Sequence, residues 1–164
     1  SQPALENVAI GKTATQSSDW SASYPASNAV DGNTNTDWYS GSCTSTKDNQ
    51  NAWWKVDLGG NYLVHEVIVT NRLDCCDSQP ALENVAIESQ PALDNVAIGK
   101  TATQSSDWSA SYPASNAVDG NTNTDWYSGS CTSTKDNQNA WWKVDLGGNY
   151  LVHEVIVTNR LDCC

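Results

Sequence analysis

The stretch AWWKVDLGGNYLVHEVIVT, residues 52–70, decides the fold. It divides into two runs, Ala52–Leu58 and Tyr62–Thr70, whose Trp, Tyr, Val and Ile side chains suit a pleated, half-buried surface. Between them stand Gly59, Gly60 and Asn61, residues that tolerate positive φ and predict a hairpin turn. Trp54, Val56 and Leu58 share one face of the first run. In the second, Val64 is out of step with Val67 and Val69, which predicts a bulge. Trp53 and Trp54 point to opposite faces of an extended chain, so one belongs to the core and the other needs cover from a loop or a partner.

Working outward, the same stretch returns at residues 140–158. The whole segment Ser1–Cys76 recurs as Ser89–Cys164, and the aligned positions differ only in Glu6 against Asp94. The intervening segment is largely a third copy of the opening, because Ser78–Ile87 reads SQPALENVAI as Ser1–Ile10 does. The expected organisation is a repeat over 1–76, a spacer over 77–88 and a second repeat over 89–164. A chain as short as one repeat buries only about 60% of its unfolded surface, so it needs a disulfide, a metal or a partner. The other repeat is the obvious partner.

A net charge of −11 with only eight Lys and Arg leaves no basic patch to neutralise phosphates, which excludes nucleic acid as a partner. No run approaches the roughly 20 apolar residues of a membrane span, and no cleavable signal opens the sequence; it reads as a mature, secreted, extracellular protein. Cysteine use agrees with an oxidising compartment, with three per repeat: Cys43, Cys75 and Cys76, then Cys131, Cys163 and Cys164. No CxxC spacing supports zinc. Adjacent cysteines lie only about 3.8 Å apart at Cα, so a bond between Cys75 and Cys76 is strained. Cys43 and Cys131 then either bridge the repeats, find other partners or stay reduced.

The rest reads as β punctuated by turns, without a helix. The polar segment Ser21–Gly41 holds Asn28, Asp31, Asn33, Asn35 and Asp37 close together. Oxygen donors crowding an irregular loop suit a hard cation such as Ca2+, which takes six to eight oxygens, while Asn and Asp also build plain turns without metal. Asn28, Asp31, Asn33 and Ser42 are the candidate ligands, repeated as Asn116, Asp119, Asn121 and Ser130. His65 and His153 lie in a strand run without a nearby nucleophile, and no paired carboxylates suit glycoside hydrolysis, so the chain is read as a binder and not an enzyme.

NVAIGK from Asn7, ASNAVDGN from Ala26, GSCT from Gly41, WWKVDL from Trp53 and TNRLDCC from Thr70 together resemble the F-type lectins, the fucolectin family. Their order matches the amino-terminal half of that domain, present here twice. The resemblance implies an all-β jelly-roll of the galactose-binding-domain kind, incomplete or completed between the repeats. It further implies binding of L-fucose or fucosylated glycans near a structural calcium, and a role in innate recognition or agglutination. Arg72 and Asp74 fall on the family's Arg-x-Asp motif, where the guanidinium donates to sugar hydroxyls and the carboxylate orients it. Cys75 and Cys76 fall on an adjacent disulfide that lies against the sugar, and Trp38 and Tyr39 on aromatics lining a niche for the fucose methyl group. The second repeat supplies Arg160, Asp162, Cys163, Cys164, Trp126 and Tyr127.

Two departures stand beside these matches. Ser45, and Ser133 in the second repeat, occupy the position of the family's sugar-binding His, and Gln79 stands where a basic residue closes the motif. Losing a charge-assisted donor costs about 1.5–3 kcal/mol, so two losses weaken monosaccharide binding severely. The family's remaining calcium ligands and the partner of Cys43 belong to a carboxy-terminal half that neither repeat represents. Open sheet edges would then pair between repeats or between chains, giving a homo-oligomer. Membrane contact is expected only through glycans. The competing reading is a discoidin-like adhesion module that binds membrane or protein through apolar loop tips.

Overall fold

The two runs of residues 52–70 do not fold into a hairpin. In the computed structural model, which describes residues 6–47, 51–71, 81–82, 84–89, 94–135 and 140–159, they form one strand, Trp53–Thr70. The identical sequence of the second repeat forms Trp141–Thr158. A hairpin would pair the two runs with each other; both pair instead with the other repeat. With strands numbered in chain order these are β2 and β7, and they run antiparallel in three blocks. Trp53–Asp57 faces Glu154–Thr158, Tyr62–Val64 faces Tyr150–Val152, and Glu66–Thr70 faces Trp141–Asp145. Leu63 opposite Leu151 lies at the centre, and every pair has its mirror image, so the repeats are related by a local two-fold.

The glycines make bulges, not turns. Residues 58–61 stand opposite His153 alone, and 146–149 stand opposite His65 alone. The turn chemistry is satisfied locally: Asp57 accepts the Gly59 N–H at 2.8 Å, Asp145 accepts that of Gly147 at 2.8 Å, and both glycines have positive φ. Bulges bend strands and increase their twist, which curls this long ladder. The predicted irregularity after Val64 is there, as a register shift between Val64 and Glu66.

Around this ladder, β1 (Thr13–Gln16) pairs with Trp54–Asp57 of β2, and β5 (Thr101–Gln104) pairs with Trp142–Asp145 of β7. The spacer supplies β4 (Asn84–Ser89), which occupies the rest of the outer edge of β7 from Val152 to Thr158. The result is a five-stranded antiparallel sheet, with β3 (Ala81–Leu82) and β6 (Thr132–Ser133) forming a second, two-stranded sheet. Among the described residues the helices are short 3-10 turns: η1 (Ala26–Val30), η2 (Trp38–Ser40), η3 (Ala114–Val118) and η4 (Trp126–Ser128).

The core lies between the sheet and the η1 and η3 turns. It holds Val30, Val56 and Leu58 from the first repeat, Ile87 from the spacer, and Val118, Trp142, Val144, Leu146, Val152, Val155 and Val157 from the second. Trp54 is the core-facing member of its pair in the first repeat: it packs against this cluster, and its indole N–H donates to Ala26 O at 2.9 Å. Trp142 does the same to Ala114 O at 2.9 Å. Each bond satisfies a polar group on a largely apolar ring and fixes a 3-10 turn to its strand. Two cross-strand ion pairs related by the two-fold, Lys55 with Glu154 at 3.0 Å and Lys143 with Glu66 at 3.2 Å, lie on the outer face.

Candidate functional site

The polar loop of each repeat is ordered by its own Asx chemistry. Asp31 Oδ1 accepts the Asn33 N–H at 2.7 Å, and Asn33 Oδ1 accepts that of Asn35 at 3.0 Å. Asn35 Oδ1 in turn accepts the Asp37 N–H at 3.0 Å, and Asp37 Oδ1 accepts that of Tyr39 at 2.9 Å. Four successive side chains thus hold the backbone two residues ahead, the conformation for which Asn and Asp compete best. The last of them caps η2, whose C-terminus turns at Gly41 with φ 75°. The loop is closed from the other side by Ser42, whose hydroxyl donates to Asn35 O at 2.6 Å.

Asn28 ties this loop to the strand-side chain. Its amide nitrogen lies within hydrogen-bonding reach of the carbonyls of Ser23, Gly41 and Cys43 at 3.2, 3.1 and 2.8 Å. Sequence reasoning singled out Asn28 but missed its structural counterpart, Gln16 on β1. The Gln16 amide donates to Asp19, to Tyr24 O and to Ser45 O at 2.7, 2.9 and 3.2 Å, and its carbonyl accepts from the Thr44 hydroxyl. Gln104 repeats the arrangement with Asp107, Tyr112 O, Ser133 O and Thr132. A glutamine on an alternating strand gives no hint of this role in a sequence. It becomes legible only once the strand edge is placed beside the loop.

The structure therefore brings together Asn28, Asp31, Asn33 and Ser42 in one bonded loop, and Asn116, Asp119, Asn121 and Ser130 in its copy, where the same contacts recur. Trp38 stacks on Tyr24 with centroids 3.8 Å apart, and Trp126 stacks on Tyr112 at 3.9 Å. Tyr39 and Tyr127 are almost fully exposed, at 89% and 91%, with Trp20 and Trp108 half-exposed beside the loop in sequence. Ser45 is buried at 9% exposure and Ser133 completely, so the two positions expected to face a sugar are covered by protein. Among the described residues, no cluster of three His, Cys, Asp or Glu forms a metal site, as suits a loop whose donors are mostly amide, hydroxyl and main-chain oxygens.

Arg72, Asp74, Cys75 and Cys76 lie outside the described residues, as do Gln79 and the second set, Arg160, Asp162, Cys163 and Cys164. β2 ends two residues before Arg72. Cys43 and Cys131 are buried thiols in their own repeats, each against the carbonyl of the aspartate that caps the adjacent turn, at 3.7 Å from Asp37 O and 3.9 Å from Asp125 O. Each thiol packs inside its own loop.

A curled antiparallel sheet with polar loops gathered by Asx turns places the described residues in the all-β, jelly-roll class of folds. The chain belongs to the family described as NedA-like, galactose-binding domain, whose model matches residues 28–112, from the first repeat through the spacer into the second. The F5/8 type C domain matches residues 101–164. Fucolectin-6 of Anguilla japonica is 49% identical over 75 residues, covering 43% of this chain and 40% of the relative. A fucolectin of Anguilla anguilla is 47% identical over 75 residues, covering 43% and 48%. The chain spans less than half the length of these curated relatives. Among solved structures, a fucose binding module of Streptococcus pneumoniae, SpX-3, matches 95% of this chain and 88% of its own length with a TM-score of 0.58 at 23% identity, a likeness of fold. The families matched are binding domains and lectins rather than enzymes.

Proposed function

We propose that this chain is an extracellular carbohydrate-binding lectin that takes L-fucose or fucosylated glycans, each repeat being the amino-terminal half of an F-type lectin domain. The observation that carries the reading is the near-50% identity to eel fucolectins over the length of one repeat. Arg72 and Asp74, with Arg160 and Asp162, are the proposed sugar-holding pairs: a guanidinium forks toward adjacent hydroxyls while a carboxylate fixes its plane. With Ser45 and Ser133 buried, no group at those positions replaces a sugar-binding imidazole. Affinity for a single monosaccharide is therefore weak, and useful binding depends on two linked sites meeting a multivalent glycan.

Calcium is part of the same proposal. Asp31 spends one carboxylate oxygen on the Asn33 N–H, which leaves the other for a cation, and Ser42 and the neighbouring carbonyls are hard oxygen donors. Asn28 holds three carbonyls in one place through its amide nitrogen. Bound there, the ion would supply positive charge that clamps the loop, without taking part in sugar chemistry.

Calorimetric titration with L-fucose, with and without a chelator, tests the reading. Heat at millimolar sugar that Arg72→Ala combined with Arg160→Ala abolishes is the expected result. Folded protein that binds neither L-fucose nor a multivalent fucosylated glycan would overturn it. The exposed aromatics Trp20, Tyr39, Trp108 and Tyr127 favour one second reading, a discoidin-like adhesion module with apolar loop tips. Its mark would be sedimentation with sugar-free vesicles, lost on Tyr39→Ser with Tyr127→Ser.

A further inference from the structure

The two long strands have the same sequence and different outer edges. On β7, the backbone from Val152 to Thr158 is bonded on both sides, to β2 and to β4. On β2, the identical residues Val64–Thr70 pair with β7 alone among the described strands, because β1 covers only Trp54–Asp57. The direction of the unpaired groups follows from alternation along an antiparallel strand. Asn71 donates its N–H to Ala140 O at 2.9 Å, toward β7. Thr70, Ile68 and Glu66 therefore point their N–H and C=O groups the other way, as Thr158, Ile156 and Glu154 do toward Asn84, Ala86 and Glu88 of β4.

This edge lacks the usual protection. Edges are blunted by Pro, Lys or inward-facing charge, whereas this one reads Val-His-Glu-Val-Ile-Val-Thr. Its one formal charge, Glu66, is held across the inner ladder by Lys143 at 3.2 Å. Ile68 is 57% exposed, while Val64, Val67 and Val69 are only half-buried where Val152, Val155 and Val157 are buried at 0%, 6% and 9%.

We propose that Val64–Thr70 of β2 is a docking edge for the same edge of a second copy of this chain, joining two five-stranded sheets about a two-fold axis through Ile68. The occupant follows from self-complementarity. Groups that point outward pair directly, so centring on Ile68 sets Ile68 against its counterpart and each Glu66 against the partner's Thr70. That register brings two exposed Ile side chains into cross-strand contact and puts no like charges opposite each other. It also closes both open edges at once, giving an isologous dimer with no remaining site of the same kind for further growth. The chain already shows the pairing competence required, since the same seven residues accept a second antiparallel neighbour in the other repeat. Exchange of β4 between chains would gain nothing, because each edge covered would expose another.

Sedimentation equilibrium of the 164-residue chain tests this directly. A reversible doubling of mass at high micromolar concentration is expected, strengthening with added salt because each copy carries −11. Ile68→Pro removes one outward N–H without touching a bond to β7 and should return the protein to monomer with tryptophan fluorescence unchanged. Ile68→Lys, which keeps the backbone donor, should weaken association at least tenfold and serves if the proline variant fails to fold. A synthetic Asn-Val-Ala-Ile-Glu-Ser peptide, the sequence of β4, should compete for the edge and dissociate the dimer. Wild-type chain that stays monomeric throughout, or a dimer indifferent to Ile68→Lys, would overturn the proposal.

Discussion

The repeats have nearly identical sequences, yet the second is the more deeply buried. Ala117, Thr132 and Val152 are at 0%, 2% and 0% exposure, while their counterparts Ala29, Thr44 and Val64 are exposed or half-buried. No residue within either repeat accounts for this. The difference comes from the spacer, whose β3 and β4 pair, among the described strands, with the second repeat. Burial, and with it most of the stability, is here a property of what a strand is covered by and not of its own residues. That is the general reason β propensity depends on context.

The comparison breaks most visibly at the paired tryptophans. Trp142 is 3% exposed and Trp54 is half-buried, although both donate to a carbonyl on a 3-10 turn at 2.9 Å. Trp142→Ala should cost about 3–5 kcal/mol, and Trp54→Ala roughly half of that, by denaturant unfolding. Equal losses would mean that the spacer does not create the asymmetry. Valines under β4 give the same contrast on a smaller scale: Val155→Ala should cost about 2 kcal/mol and Val67→Ala under about 1 kcal/mol. In hydrogen exchange, the amides of Ile156 and Thr158 should be far better protected than those of Ile68 and Thr70 in the monomer.

How the spacer comes to be a strand is written in one residue. The string Asn-Val-Ala-Ile occurs three times among the described residues, from Asn7, Asn84 and Asn95. From Asn7 and Asn95 it forms a tight turn that ends in Gly11 or Gly99, with φ of 72° and 71°, whose N–H bonds Val30 O or Val118 O at 2.8 Å. After Ile87 comes Glu88, for which that left-handed conformation is costly, and the chain stays extended along β7. Glu88→Gly should loosen β4 and remove about 1–2 kcal/mol from the global stability. Native protein in which Val155 and Val157 keep their burial and the stability is unchanged would show that Glu88 is not the determinant.

Much of the frame was legible from the residues. The β content, the alternating face of Trp54, Val56 and Leu58, the irregularity after Val64 and the Asx-rich loop all follow from side-chain chemistry with a short reach. The hairpin at Gly59–Asn61 was wrong because turn-forming residues specify a bend, and only the partner strand decides whether the bend reverses the chain or becomes a bulge. Gln16 and Tyr24 stayed invisible for a related reason: their partners, Thr44 and Trp38, are distant in sequence. Burial of Ser45 could not be read from its position after Cys43 and Thr44, since the residues that meet it there, Gln16 and Trp20, both donate to its carbonyl from far earlier in the sequence.

The smallest predicted effect tests the symmetry that survives. Lys55–Glu154 and Lys143–Glu66 are images of each other across the Leu63–Leu151 centre, at 3.0 and 3.2 Å. Both lysine side chains are 37% exposed, so solvent screens each pair and reduces its worth to the few tenths of a kcal/mol usual at surfaces. Each ammonium also lies 5.9 Å from a tryptophan ring, Trp53 or Trp141, an equally modest attraction. Lys55→Ala and Lys143→Ala should thus destabilise the chain by the same amount, below about 1 kcal/mol, however different the two repeats are elsewhere. A clear inequality in matched urea titrations would show that the spacer's influence reaches past the outer edge of β7 into the ladder between the repeats. Equality would confine the asymmetry to the face and edge that β3 and β4 cover.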